Sequence, residues 1–87
     1  MDYASITELD LSTSKLRKLP DDLVKYVNLV MLDCSINFLS KLPPLPPKLK
    51  VLICSVNFLD TLDNLPDTIE KLNCDSNKLT QIDILKY

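Results

Sequence analysis

No glycine, no histidine and no tryptophan occur in this chain of 87 residues. Each absence removes a class of chemistry. Without glycine there is no phosphate-cradling loop, because such loops need backbone that approaches phosphate closely. Without histidine, the commonest general base and the usual partner of a catalytic cysteine are missing. Basic excess is lacking as well: 10 Lys and Arg against 12 Asp and Glu leave a net charge of −2. Nucleic-acid surfaces carry the opposite sign, since counterion release rewards a strongly basic face. The one basic cluster, Lys15, Arg17 and Lys18, is followed by the acidic pair Asp21 and Asp22 and reads as a solvated surface. The opening MDYASITELD has no basic region followed by an apolar stretch, so no secretory signal is expected. No apolar run approaches the roughly eighteen residues of a membrane span. Three cysteines, an odd number, do not suit a disulfide framework. An intracellular, cytoplasmic protein is the expectation.

What is present is leucine, eighteen times, in a chain that is 46% hydrophobic and 25% charged. That balance describes one small folded domain over residues 1–87. Laid in register, the chain divides into units 6–28, 29–48, 49–68 and 69–87. Each begins with an aliphatic residue followed three later by a leucine (Leu9, Leu32, Leu52, Leu72). A third inward position follows two later (Leu11, Cys34, Cys54, Cys74), and another leucine five beyond that (Leu16, Leu39, Leu59, Leu79). Two residues apart is the spacing of side chains on one face of a strand. One unit cannot bury its leucines alone, whereas stacked units share a continuous core.

The pattern L-x-x-L-x-[LC]-x-x-[NS]-x-L, running from Ile6 to Leu79, resembles the signature of leucine-rich repeats. The endings LPPLPPKL and LDNLPDTI are similar to those of the short repeats of about 20 residues in bacterial effector proteins. Cysteine at the third inward position is similar to short repeats from amoebae and their large DNA viruses. The first unit's LRKLPDDLVKYVNL resembles the commoner type of about 23 residues. The resemblance implies an α/β-type repeat solenoid. It would be a right-handed coil of about four repeats, with a concave parallel β-sheet and a convex side of short helix and polyproline or extended segments. In the first unit Pro20 is placed to open a short helical turn with Asp21 and Asp22 in its first turn. In the second unit PPLPP excludes a helix.

Several groups invite a chemical reading. Cys34, Cys54 and Cys74 share one inward position; thiols in a row along a ladder do not converge tetrahedrally as structural zinc requires, so they read as small buried hydrophobes. Asn37, Asn57 and Asn77 sit where a strand ends and an amide can bond backbone on both sides. Ser14 replaces asparagine in the first unit, which weakens the ladder there. Leu42 to Lys48, LPPLPPK, matches a proline-rich ligand of the kind an SH3 domain grips, but Leu42 and Leu45 are also core positions.

Outward positions carry the functional expectation. They read Glu8, Asp10, Ser12, Thr13; Met31, Asp33, Ser35, Ile36; Val51, Ile53, Ser55, Val56; and Lys71, Asn73, Asp75, Ser76. Met31, Ile36, Val51, Ile53 and Val56 form an apolar centre, and Asp10, Asp33, Lys71, Asn73 and Asp75 a polar rim, the anatomy of a protein interface. Phe38 and Phe58 are expected to cover the edge of the core. A non-catalytic module that binds a protein partner on its concave face follows, with no cofactor, metal, nucleic acid, membrane or small-molecule substrate. The alternative is self-assembly, as a homodimer formed end to end or through the apolar patch, because Ile82, Ile84 and Leu85 leave the last unit apolar. Some effectors with similar repeats are ubiquitin ligases, but their catalytic cysteine belongs to a separate domain with no counterpart in this sequence.

Overall fold

The computed structural model describes residues 2–63 and 65–80. Four short strands, β1 (Glu8–Asp10), β2 (Met31–Asp33), β3 (Val51–Ile53) and β4 (Lys71–Asn73), form one sheet in the order β1-β2-β3-β4. Every pair is parallel. Sequence neighbours are therefore spatial neighbours, and each return to the sheet starts a new strand beside the last. The register aligns Leu9, Leu32, Leu52 and Leu72, so the central residue of every strand points to the same side.

Hydrogen bonding extends beyond the strands at both ends. On entry, Met31 N–H donates to Thr7 O, Val51 N–H to Val30 O and Lys71 N–H to Lys50 O. On exit the direction reverses, and Leu11, Cys34 and Cys54 donate to Asp33, Ile53 and Asn73 of the following unit at 2.7–2.8 Å. The inward leucine and cysteine thus remain in a paired ladder although the formal strand has ended.

The core is a row of leucines. Leu29, Leu32, Leu39, Leu49, Leu52 and Leu59 are fully buried, as are Cys34 and Cys54. Each buried leucine contributes about 1.5–3 kcal/mol of apolar transfer. Leu19, Leu23 and Tyr26 close the first unit's side of this core, and Leu42, Leu45, Pro46 and Leu62 line it opposite the sheet.

Helix is almost absent. Two 3-10 helices of three residues, Tyr3–Ser5 and Leu23–Lys25, are the helical elements among the described residues. Asp2 caps the first, accepting from Ala4 N–H at 3.2 Å. The second begins later than Pro20 suggests: Asp22 is its N-cap residue, yet makes no capping bond. Its carboxylate instead accepts from the Tyr3 hydroxyl at 2.7 Å, and so the first turn holds no acid. Leu42 to Pro46 contain neither helix nor strand, as three prolines without N–H donors in five residues dictate. The returns still end alike, with Leu29, Leu49 and Ile69 donating to the carbonyls of Tyr26, Pro46 and Pro66.

Candidate functional site

Two surfaces emerge from this framework, one on the sheet and one along the loops that leave it. On the sheet, Met31, Asp33, Val51 and Ile53 are partly buried by their neighbours, while Glu8, Asp10, Lys71, Asn73 and Asp75 are exposed. A shallow depression of about 220 Å³ lies over β3 and β4, lined by Val51, Ile53, Lys71 and Asn73 with the leucines beneath. Asp10 and Asp33 are tied locally: each carboxylate accepts from the hydroxyl and the backbone N–H of the serine two residues on. The Ser12 hydroxyl and then its N–H hold the Asp10 carboxyl below its ordinary range.

Past the strands the chain turns sharply, and it does so without glycine. Thr13, Ile36, Val56 and Ser76, at the same place in each unit, all have φ between 51° and 57°. Lys15 joins them at 56°. Left-handed backbone costs an L-residue about 1–2 kcal/mol, and β-branched residues are genuine outliers there. What holds the turn is the asparagine that follows. Asn57 donates from Nδ2 to the carbonyls of Cys34, Cys54 and Ser55 at 3.1–3.2 Å, and its Oδ1 accepts from Leu39 N–H at 3.0 Å. Asn37 does the same for Leu11, Cys34 and Ser35, and accepts from both Ser14 and Leu16. Asn77 repeats the pattern with Cys54, Cys74, Asp75 and Leu59. Ser14 supplies only a local bond, from its hydroxyl to Ser12 O.

The turn throws apolar side chains outward. Ile36 is 52% exposed, Val56 47%, Phe38 49% and Phe58 46%. The two phenylalanine rings lie nearly parallel, 10° between planes and 6.2 Å between centroids, and Lys78 Nζ stands 5.3 Å from the Phe58 ring centre. Ile36, Phe38, Val56 and Phe58 line a groove of about 480 Å³ whose ends are Thr13 and Lys15 on one side and Ser76 on the other, with Lys78 just outside it.

Ile36 and Val56 therefore belong with Phe38 and Phe58 at the loop edge, apart from the depression on the sheet that Val51, Ile53 and Asn73 line. Phe38 and Phe58, expected to cover the edge of the core, are half open to solvent and line the groove. The sequence held a sign of this. Their equivalents in the outer units are Lys15 and Lys78, and a position that accepts lysine is not an inward one.

The cysteines are free thiols. Burial, and next the Asp33 charge, push Cys34 up to about 12. Burial raises Cys54 as well, and Cys74 to a lesser depth of burial. Thiols so raised are not nucleophiles near neutral pH. Among the described residues no group of three or more His, Cys, Asp or Glu side chains is placed to hold a metal ion. In the proline-rich segment Leu42, Leu45 and Pro46 are buried in the core, while Pro44, Pro47 and Lys48 are exposed. Among the described residues no helix is long and apolar enough to cross a membrane. Ile82, Ile84 and Leu85, on which end-to-end assembly was expected to turn, lie outside the described residues. Comparison with family models, with curated proteins and with solved structures finds no match to this chain.

Proposed function

We propose that the chain is a leucine-rich-repeat solenoid and serves as a non-catalytic module that binds a partner protein. Its binding surface combines the concave sheet at Met31, Val51 and Ile53 with the loop edge at Ile36, Phe38, Val56 and Phe58. The observation that carries this reading is the strip of half-exposed apolar side chains in the two middle units, with Ile36 and Val56 on left-handed backbone. Strained, non-glycine backbone that displays apolar groups to water costs stability twice, and such features cluster at functional surfaces. Acidic and amide groups at Asp10, Asp33, Asn73 and Asp75 give the strip a polar border of the kind found around interface cores. The free, raised thiols suit an intracellular protein.

Two variant pairs test it: Val51→Asp with Ile53→Asp on the sheet, and Phe38→Ser with Phe58→Ser on the edge. Each is expected to keep the native circular dichroism and to abolish recovery of a partner from a lysate of the native source. Unaltered recovery with both pairs would remove this surface from binding. Sedimentation of the unaltered chain as a dimer that either pair dissociates would assign the same surface to self-assembly.

A further inference from the structure

The groove at the loop edge has ends of one charge. Read across the units, the groove is lined by Lys15, Phe38 and Phe58 in one column and by Thr13, Ile36, Val56 and Ser76 in the next; Lys78, the fourth member of the first column, borders it beside the Phe58 ring. Both columns are polar at the ends and apolar in the middle, and the ends of one are cationic. Among the described residues no acidic side chain lines the groove, although the molecule as a whole is acidic and the neighbouring sheet surface carries Glu8, Asp10, Asp33 and Asp75. Lys78 is exposed and holds its ammonium 5.3 Å from the Phe58 ring centre, at the border of the apolar floor. Lys15 reaches the other end from a backbone held left-handed.

We propose that this groove binds an extended peptide segment of a partner protein in which one apolar residue is flanked, two positions away on each side, by acidic residues. The proposal rests on the interaction-module reading above and names the partner's chemistry. The spacing follows from the sheet. Parallel strands repeat at about 4.8 Å, so the backbones that carry Lys15 and Lys78, three steps apart, are separated by about 14 Å. Along an extended peptide, residues four apart face the same way and span about 13 Å. The residue midway between them then falls over Ile36 and Val56, against the edges of the phenylalanine pair. Carboxylates at the two ends meet one lysine each, and neutral or basic flanks leave the lysines without a counter-charge.

The test uses the intact chain and two fluorescent seven-residue peptides. Each has leucine at the centre and threonine or serine elsewhere; one has aspartate two residues to either side, the other asparagine. At low salt, fluorescence anisotropy is expected to show the aspartate peptide binding about tenfold more tightly, the sum of two exposed ion pairs. The gap should close in about 0.5 M salt, where screening acts over less than about 5 Å. It should also close in Lys15→Gln with Lys78→Gln, whose side chains are exposed and whose exchange leaves the core intact. Equal affinity for the two peptides, with both lost in Phe38→Ser with Phe58→Ser, would overturn the charge bracket while leaving the apolar docking surface in place. Binding of neither peptide at millimolar concentration would overturn the proposal outright, and unaltered partner recovery by both the phenylalanine and the Val51–Ile53 variants would then show that the broader reading had failed with it. A dimer that the phenylalanine variant dissociates would overturn it by placing a second copy in the groove.

Discussion

The first unit and the two middle ones build the same core from different surfaces. Leu9 and Leu11 stand where Leu32 and Cys34, and Leu52 and Cys54, stand later. Outside the core the correspondence stops. The first unit shows Glu8, Asp10, Thr13 and Lys15 to solvent, returns through a 3-10 helix, and is closed by Tyr3 packed edge-on against Tyr26 at 4.9 Å. The middle units show Ile36, Phe38, Val56 and Phe58, and return through proline-rich or irregular chain. Inward positions are held by packing and are interchangeable among small and branched hydrophobes; outward positions are free of that constraint, so their departure from polarity in the middle units calls for another cause.

The sharpest way to break this comparison is through the asparagines. Asn57→Ala strips the buried Leu39 N–H of its acceptor and removes one of the two amides that serve the Cys34 and Cys54 carbonyls. A loss of about 2–3 kcal/mol in urea unfolding is expected. Ser14→Ala, at the matching place in the first unit, removes one exposed bond and should change stability by no more than about 0.5 kcal/mol. Similar losses at both positions would show that the first unit depends on Ser14 in some other way.

Alkali should weaken the middle units next. A thiol free in the unfolded chain ionises near 9.0, whereas folded Cys34 holds its proton to about 12. Between those values the folded state binds more protons than the unfolded, so stability is full below about pH 9 and falls as pH rises. The slope is at most about 1.4 kcal/mol per pH unit for each such thiol. Cys34→Ala with Cys54→Ala should flatten the decline of the urea midpoint between about pH 9 and 10.5, the measurement in each case being taken against the variant's own value at neutral pH. An unchanged slope would assign the alkaline loss to other groups.

A smaller effect of opposite sign is expected at the turns. Ile36→Asn or Val56→Asn replaces a β-branched residue by one that accepts left-handed backbone, and should raise stability by about 0.5–1 kcal/mol while weakening partner binding. Stabilisation without loss of binding would detach the strain from function. The smallest change is Tyr3→Phe, which deletes the bond to Asp22. Its expected outcome is a slight lowering of the melting temperature and no change in the groove, read from unaltered peptide binding.

Much of this architecture was legible beforehand because it depends on spacing. Leucines three and two residues apart predicted where Leu32 and Leu52 point, and the shared place of Asn37, Asn57 and Asn77 predicted a backbone role that the bonds to Cys34 and Cys54 carbonyls fulfil. Periodicity says which side chains face alike. It says little about the sign of φ, and Ile36 and Val56 are residue types that disfavour the conformation they adopt. Phe38 and Phe58 were read as covering the edge of the core; their half exposure, and the lysines at matching places in the outer units, mark an outward column. The second helix starts late because Asp22 is drawn to Tyr3, nineteen residues away, a contact that no local pattern encodes.

The asparagine amides have a direction. The carbonyl oxygen of Asn57 serves the Leu39 N–H of the unit before it, and that of Asn77 serves Leu59. As the chain leaves the ribosome, a unit whose own residues have all emerged still lacks its capping acceptor until its successor has emerged as well. Folding during synthesis then trails elongation by one full repeat. A nascent chain paused between two asparagines exposes an unfinished turn as well as an open sheet edge, and that interval is when a chaperone would find it.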